Sequence, residues 1–210
     1  MALHRPRLRP HHQGGAVTTP ALFNAAPTAI TAAGPRPRII GLDLSLTSTG
    51  VALPDGTTYR IKTRAVDADN RLVLIRDNIR RALATHRPHL AVVEDLPITA
   101  NSAGITGMVH GIVRAELADA EVPRALIAAA TLKAYAADNG RADKAQMAAA
   151  AYLAAGVQFP DDPGGDRCDA WWLRAAGHDW WGTPLFDLPD AQRARLTKAK
   201  WPVGVPRLTR

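Results

Sequence analysis

The apolar positions of this chain follow two periods. The runs Ile39-Ile40-Gly41-Leu42-Asp43-Leu44 and Val51-Ala52-Leu53 are short, apolar and bounded by Gly and Thr, which predicts strands over 38–44 and 49–54. Pro54-Asp55-Gly56 signals a turn, and a third strand over 57–63 completes a meander. Residues 69–86 change to a helical period, with Leu72, Ile75, Ile79 and Leu83 on one face. His89-Leu90-Ala91-Val92-Val93-Glu94 is a continuous apolar run ending in an acid, the pattern of a central parallel strand. Ile105, Met108, Val109, Ile112, Val113 and Leu117 mark a helix over 101–119, with Asn101 or Ser102 as its cap. A fifth strand is expected over 124–129, a short helix from Thr131 and an Ala-rich helix over 143–155. A last helix opens at Asp166 and runs through Leu173. Beyond 180 the period is lost. This order predicts an α/β fold, a five-stranded mixed sheet flanked by helices.

The chemistry concentrates where this pattern is broken by acids. A charge on a buried strand is costly unless it is paired or holds a metal, so Asp43 needs a partner. Two readings are open for it: a strand-end Asp that bonds the following turn, or a ligand. If the first and fourth strands are neighbours, Asp43 and Glu94 come together. Asp166 and Asp169 share one face of the last helix. That pair is read either as an N-cap with an ordinary first-turn acid or as two members of an acidic site. An oxygen-rich, thiol-free set of four carboxylates suits Mg²⁺ or Mn²⁺, and two hard cations per site are a means of cutting a phosphodiester.

Charge changes the picture at the ends. The net charge is +7, yet residues 1–38 hold five Arg and no acid, and residues 190–210 hold six Lys or Arg against one Asp. The centre is therefore acidic and the ends basic, which fits a site that gathers carboxylates and tails that hold a polyanion. Residues 1–37, rich in Pro, Ala, His and Gly, are read as a disordered basic arm, 38–182 as the folded domain and 183–210 as a basic extension. Trp180, Trp181 and Trp201 belong either to an extension packed on the core or to a nucleic-acid contact. One cysteine, Cys168, excludes an internal disulfide and points to a reducing, cytoplasmic setting. No apolar run is long enough to span a membrane.

The motifs together resemble the RuvC-type Holliday-junction resolvases of the ribonuclease-H-like superfamily, from about Arg38 to His178. Four segments carry the likeness: Ile40-Gly41-Leu42-Asp43-Leu44-Ser45 with Thr49-Gly50, Val92-Val93-Glu94 with Asn101 opening a Gly/Ala-rich helix, Lys133 and Lys144 around Gly140 and Ala142-Asp143-Lys144-Ala145-Gln146, and Asp166-x-x-Asp169-Ala170. The resemblance implies a ribonuclease-H-like fold and a metal-dependent endonuclease nicking branched DNA, with Asp43, Glu94, Asp166 and Asp169 as catalytic metal ligands. It implies DNA contacts at Lys133 and Lys144 and near Asn101, with Ser45 and Thr47 of the hydroxyl-rich turn as further candidates. It also implies a homodimer joined through the 101–119 helix. One departure stands out: where the family often carries a stacking aromatic, this chain has Pro97 followed by Ile98. Loose sequence preference is the expectation, and the basic ends look more like a phage or mobile-element variant.

Three other readings compete. The sugar-kinase and actin-like group shares a Gly-x-Asp hairpin but needs two such domains. A binding module that grips branched DNA without cutting would not keep all four acids. A nuclease of the same fold acting on RNA or flaps has no sequence feature against it, because fold does not fix substrate.

Overall fold

The computed structural model describes residues 36–96 and 103–204. Its sheet is built from β1 (Ile39–Asp43), β2 (Ser48–Ala52), β3 (Thr58–Lys62), β4 (Leu90–Glu94) and β5 (Arg124–Ile127), in the order β3-β2-β1-β4-β5. The meander is antiparallel, and β1, β4 and β5 run parallel. The sheet is therefore mixed, with the first and fourth strands adjacent. Leu42 lies opposite Val93, so the next residue on each strand is an acid, Asp43 and Glu94. Thr49 closes the first hairpin: its hydroxyl donates to the Ser45 carbonyl at 2.6 Å and accepts from the Ser45 N–H at 3.2 Å.

Strand alternation sends the two faces of the sheet to two cores. Ile40, Leu42, Val51, Ile61, Ala91 and Val93 pack under α1 (Asn70–His86) and α2 (Ala103–Asp119), against Ile75, Ile79, Leu83, Val109, Val113 and Leu117. Ile39, Ala52, Leu90, Val92, Ala125 and Ile127 face the other way, toward α3 (Ala129–Ala137), α4 (Lys144–Ala155) and α5 (Asp166–Trp181). By the same parity Gly41, Asp43 and Glu94 belong to the α5 face, as do Ser48 and Gly50 of β2 and Arg60 of β3.

Helix α5 lies unusually close to the sheet, and two glycines permit it. A Cβ on Gly41 would fall 2.0 Å from the Ala170 carbonyl oxygen, and one on Gly50 would fall 2.0 Å from that of Asp166. No side chain fits there, so the helix backbone rests on the strand backbone and its first turn is fixed above the ends of β1 and β2.

Several boundaries differ from the sequence reading. The helix expected at Thr131 starts at Ala129, and the one expected to run through Leu173 continues to Trp181. The segment past 180 is not without regular structure. It carries α6 (Asp190–Ala194) and a short 3₁₀ turn over Arg195–Lys198, whose Leu196 is buried. Lys200 then pairs antiparallel with Leu126 at the β5 edge through two 2.9 Å backbone bonds. Of the two readings of the tryptophans, packing on the core is the one observed. Trp180 and Trp201 stack with centroids 4.4 Å apart, and both pack against the α5-side core. Trp181 lies beside His89. Pro97, Ile98, Asn101 and the arm before Arg36 lie outside the described residues.

Candidate active site

Three elements bring the acids together. Asp43 ends β1 and Glu94 ends β4, so both stand at the carboxyl edge of the sheet, where sites form in open α/β sheets. Asp166 and Asp169 occupy the first turn of α5, directly above. That start is unusual, because its cap residue, Gly165, is left-handed with φ 73° and provides no side chain. The cap comes instead from Asp162, whose Oδ2 accepts from the N–H groups of Arg167 at 3.0 Å and Cys168 at 3.1 Å.

The electrostatics are those of like charges crowded out of water. Burial is the main force raising Asp43 well above the usual carboxylate range; Glu94, Asp169 and Asp166 push it further, and Lys144 offsets part of this. Glu94 is pushed up to about 7, by burial first and Asp169 second, with Lys133 pulling the other way. Asp169 is raised to about 6 by burial, against Lys133 and Lys144 and with the help of Asp166 and Asp162. None of these three carboxylates makes a side-chain hydrogen bond or ion pair with another described residue. The reading of Asp43 as a mere turn-bonding Asp therefore does not hold. Asp166 alone is anchored, by a 2.5 Å hydrogen bond from the Ser48 hydroxyl and by Arg60 at 3.9 Å.

The donor set fits hard divalent cations. It is made of carboxylates only, it is short of counter-charge, and the one nearby thiol is unsuited: burial pushes Cys168 up to about 12, so it stays protonated. Among the described residues no group of three or more acidic, imidazole or thiol side chains is already gathered into a metal cage.

The other sequence-picked residues divide. Lys133 sits half-buried on α3 and acts electrostatically on Glu94 and Asp169. Lys144 is the first residue of α4, behind an N-cap box in which Asp143 and Gln146 bond reciprocally at 2.8 and 2.9 Å. Its ammonium donates to the Gly164 carbonyl, on the loop that leads into Asp166. Ser45 and Thr47 lie in the turn just past Asp43, their hydroxyls 3.2 Å apart. Sequence reasoning missed Ser48, Arg60 and Asp162. The signal for the first two was parity: they share the α5 face with Asp43 once β2 is paired to β1 and β3 to β2.

The residue 39–169 segment matches the family model described as crossover junction endodeoxyribonuclease RuvC. The chain belongs to the RuvC family. It is 30% identical over 176 residues to the crossover junction endodeoxyribonuclease RuvC of Nocardia farcinica (strain IFM 10152), covering 78% of this chain and 91% of that one. With the protein of the same name from Streptomyces coelicolor (strain ATCC BAA-471 / A3(2) / M145) it shares 30% identity over 155 residues, 68% of this chain and 81% of that one. Its fold is that of the Thermus thermophilus RuvC structure, with TM-score 0.59 and 21% identity over 79% of this chain and 99% of that one. It also matches T. thermophilus RuvC in complex with Holliday junction substrate, with TM-score 0.60 and 21% identity over 80% and 100%. Among the described residues no helix is long and apolar enough to cross a membrane.

Proposed function

We propose that this chain is a divalent-metal-dependent endonuclease that nicks branched DNA, the Holliday junction above all, as a paired homodimer. One observation carries the reading: four carboxylates from β1, β4 and α5 meet at the sheet's carboxyl edge, three of them raised by burial and mutual repulsion. Asp43, Glu94, Asp166 and Asp169 would hold Mg²⁺ or Mn²⁺, two ions per site. When bound, such ions activate water and stabilise the leaving oxygen of a phosphodiester. The chain's own part is to aim the acids and to offset part of the push toward protonation that burial gives them. Lys133 and Lys144 supply the offsetting positive charge, and Lys144, exposed at the rim, stands where a DNA phosphate would approach.

The dimer is assigned to α2. Ile105 and Met108 are half-exposed on it, and a Cβ on Gly104 or Gly111 would meet nothing within 4 Å among the described residues, so these positions look onto open space. Two-fold pairing suits a substrate with two equivalent strands to cut. The N-terminal segment up to Arg38 carries five Arg and no acid. We assign it, with the basic C-terminal residues, to salt-sensitive backbone binding rather than to the choice of cleavage site. A cytoplasmic setting fits the single, buried, reduced Cys168.

The test is cleavage of a four-way junction, a flap and a plain duplex with and without Mg²⁺. Metal-dependent paired nicks near the branch, absent from duplex, support the reading. Preferential cutting of the flap would overturn the substrate choice, and cutting without metal would overturn the site.

A further inference from the structure

The four acids are not equivalent. Asp43, Glu94 and Asp169 face one another without partners among the described residues, whereas Asp166 is held from behind. Its Oδ2 accepts the Ser48 hydroxyl at 2.5 Å and lies 3.9 Å from Nη1 of Arg60. Arg60 is held in turn. Its Nε is 3.6 Å from Oδ1 of Asp162, and its other terminal nitrogen donates to the Asp161 carbonyl. The cluster is largely closed to water: the side chains of Arg60, Asp162 and Asp166 are 13, 1 and 17% exposed. All of this is long-range in sequence. Ser48 and Arg60 come from β2 and β3, brought beside α5 because Gly50, which pairs with Arg60, lets the Asp166 backbone settle onto the sheet.

We propose that Ser48 and Arg60 are positioning residues for the metal site, fixing Asp166 by one oxygen so that the other is offered to a cation. The proposal rests on the reading of the four acids as a metal site. The chemistry is that of outer-shell partners, which orient a ligating carboxylate and restrict it to one mode of binding. Ser48 sets the position of Oδ2, since a 2.5 Å bond to an anion is short and directional. Arg60 does two things at once. Its guanidinium balances Asp162, which caps α5, and it extends the same charge to Asp166, so the helix start and its ligand are locked to one group. A planar fork does this where a point charge would not. The device is local to this chain's β2 and β3 and is separate from Lys133 and Lys144, whose charges act on Asp43, Glu94 and Asp169.

Mn²⁺ binding to the DNA-free, full-length protein, followed by calorimetry or by the loss of free-ion EPR signal, tests this without any turnover. Ser48→Ala should weaken Mn²⁺ about ten-fold, and Ser48→Thr, which keeps the hydroxyl, should restore it. Arg60→Lys should weaken it less than Ser48→Ala, because charge remains while the fork is lost. In cleavage assays Ser48→Ala should need more metal for half-maximal rate while regaining most of the parent's rate at saturating Mn²⁺. A purely structural role would instead lower the melting temperature and leave metal affinity alone. Ser48→Ala with parental Mn²⁺ affinity, alongside Asp43→Asn that has lost it, would overturn the positioning role and leave the metal site standing. Parental affinity in Asp43→Asn as well would overturn the site reading on which the proposal rests.

Discussion

The two ends of α5 solve the same problem in opposite ways. Both bury ionisable groups against the sheet. At the C-terminal end the solution is neutrality or pairing: burial drives His178 down to about 3, with Arg174 and Arg36 adding to the effect, so it stays uncharged. Its Nδ1 is 3.2 Å from the Thr183 hydroxyl. Arg174 donates to the Pro54 carbonyl at 2.7 Å and lies near Asp55. At the N-terminal end, Asp43, Glu94 and Asp169 have no such partners, and the cost of holding them together is left standing. A fold keeps an unresolved charge cluster only where the surrounding structure over-determines it. Here α5 is over-determined by the close contacts at Gly41 and Gly50. The lesson is that burial marks both ends alike, and only the shortage of counter-charge distinguishes the end proposed to bind metal.

The largest effect should come from the acid end. Asp43→Asn removes the proposed ligand charge of β1. We expect cleavage to fall more than a hundredfold, beyond the loss typical of even an outer-shell partner, while junction binding in a mobility-shift assay stays within about threefold, since phosphate contacts made by Lys and Arg persist. A rate near the parent's would assign the site elsewhere.

Two glycine variants set the ends directly against each other. Gly50→Ala drives a Cβ into the backbone of Asp166, which cannot yield without moving the helix start. We expect roughly 3 kcal/mol of lost stability and, because a displacement of about 1 Å at a reacting group can cost a hundredfold, a cleavage defect that persists well below the melting temperature. Gly177→Ala meets only methyl groups of Ile39 and Val92, at 2.7 Å. It should cost stability of the same order yet retain parental cleavage at low temperature. Equal activity losses in the two variants would erase the distinction between the ends.

Acidity and metal should separate them further. Burial raises Glu94 from 4.5 to about 7 and Asp169 from 3.8 to about 6, so between about pH 3.8 and 7 the folded chain holds protons that the unfolded chain has released. Their contribution to stability therefore falls as pH rises through that window, by an order of 1–3 kcal/mol each in metal-free protein. His178 works the other way, its contribution being lost as pH drops below about 6.5 toward 3. Melting curves should show Mg²⁺ stabilising strongly at pH 8 and weakly at pH 5, where protons already occupy the acids. Glu94→Gln should flatten the metal-free decline toward high pH. An equal Mg²⁺ effect at both pH values would show that the acids do not compete with protons for the ion.

The smallest effect is expected at the settled end. Thr183→Val removes the hydroxyl beside His178 and should cost about 1 kcal/mol, with cleavage and metal dependence unchanged. A changed metal requirement there would mean that the two ends are coupled along α5.

Much of this was legible in the chain. Period alone placed all five strands and α1, α2 and α4 to within a few residues, because each reports its own burial, but it ended α5 at Leu173, two turns short of Trp181. Asp43 and Glu94 were singled out because an acid in an apolar run contradicts its surroundings, Asp166 and Asp169 because they share one face of a helix start, and Lys133 and Lys144 because they keep the spacing of the family the chain resembles. What period does not report is who faces whom. Only the tertiary structure placed β1 beside β4, so that Leu42–Val93 pairing carries Asp43 to Glu94. Only it showed that Gly41 and Gly50 are contact points for a helix more than a hundred residues away in sequence. It brought Ser48 and Arg60, ordinary strand residues by sequence, onto Asp166, and folded the basic, period-less segment past Trp181 back onto the β5 edge through Lys200. The division has one physical cause. Burial of a single element is written in its own apolar spacing, whereas backbone contact, charge pairing and the lack of a counter-charge are properties of two elements at once, and exist only after the chain has folded.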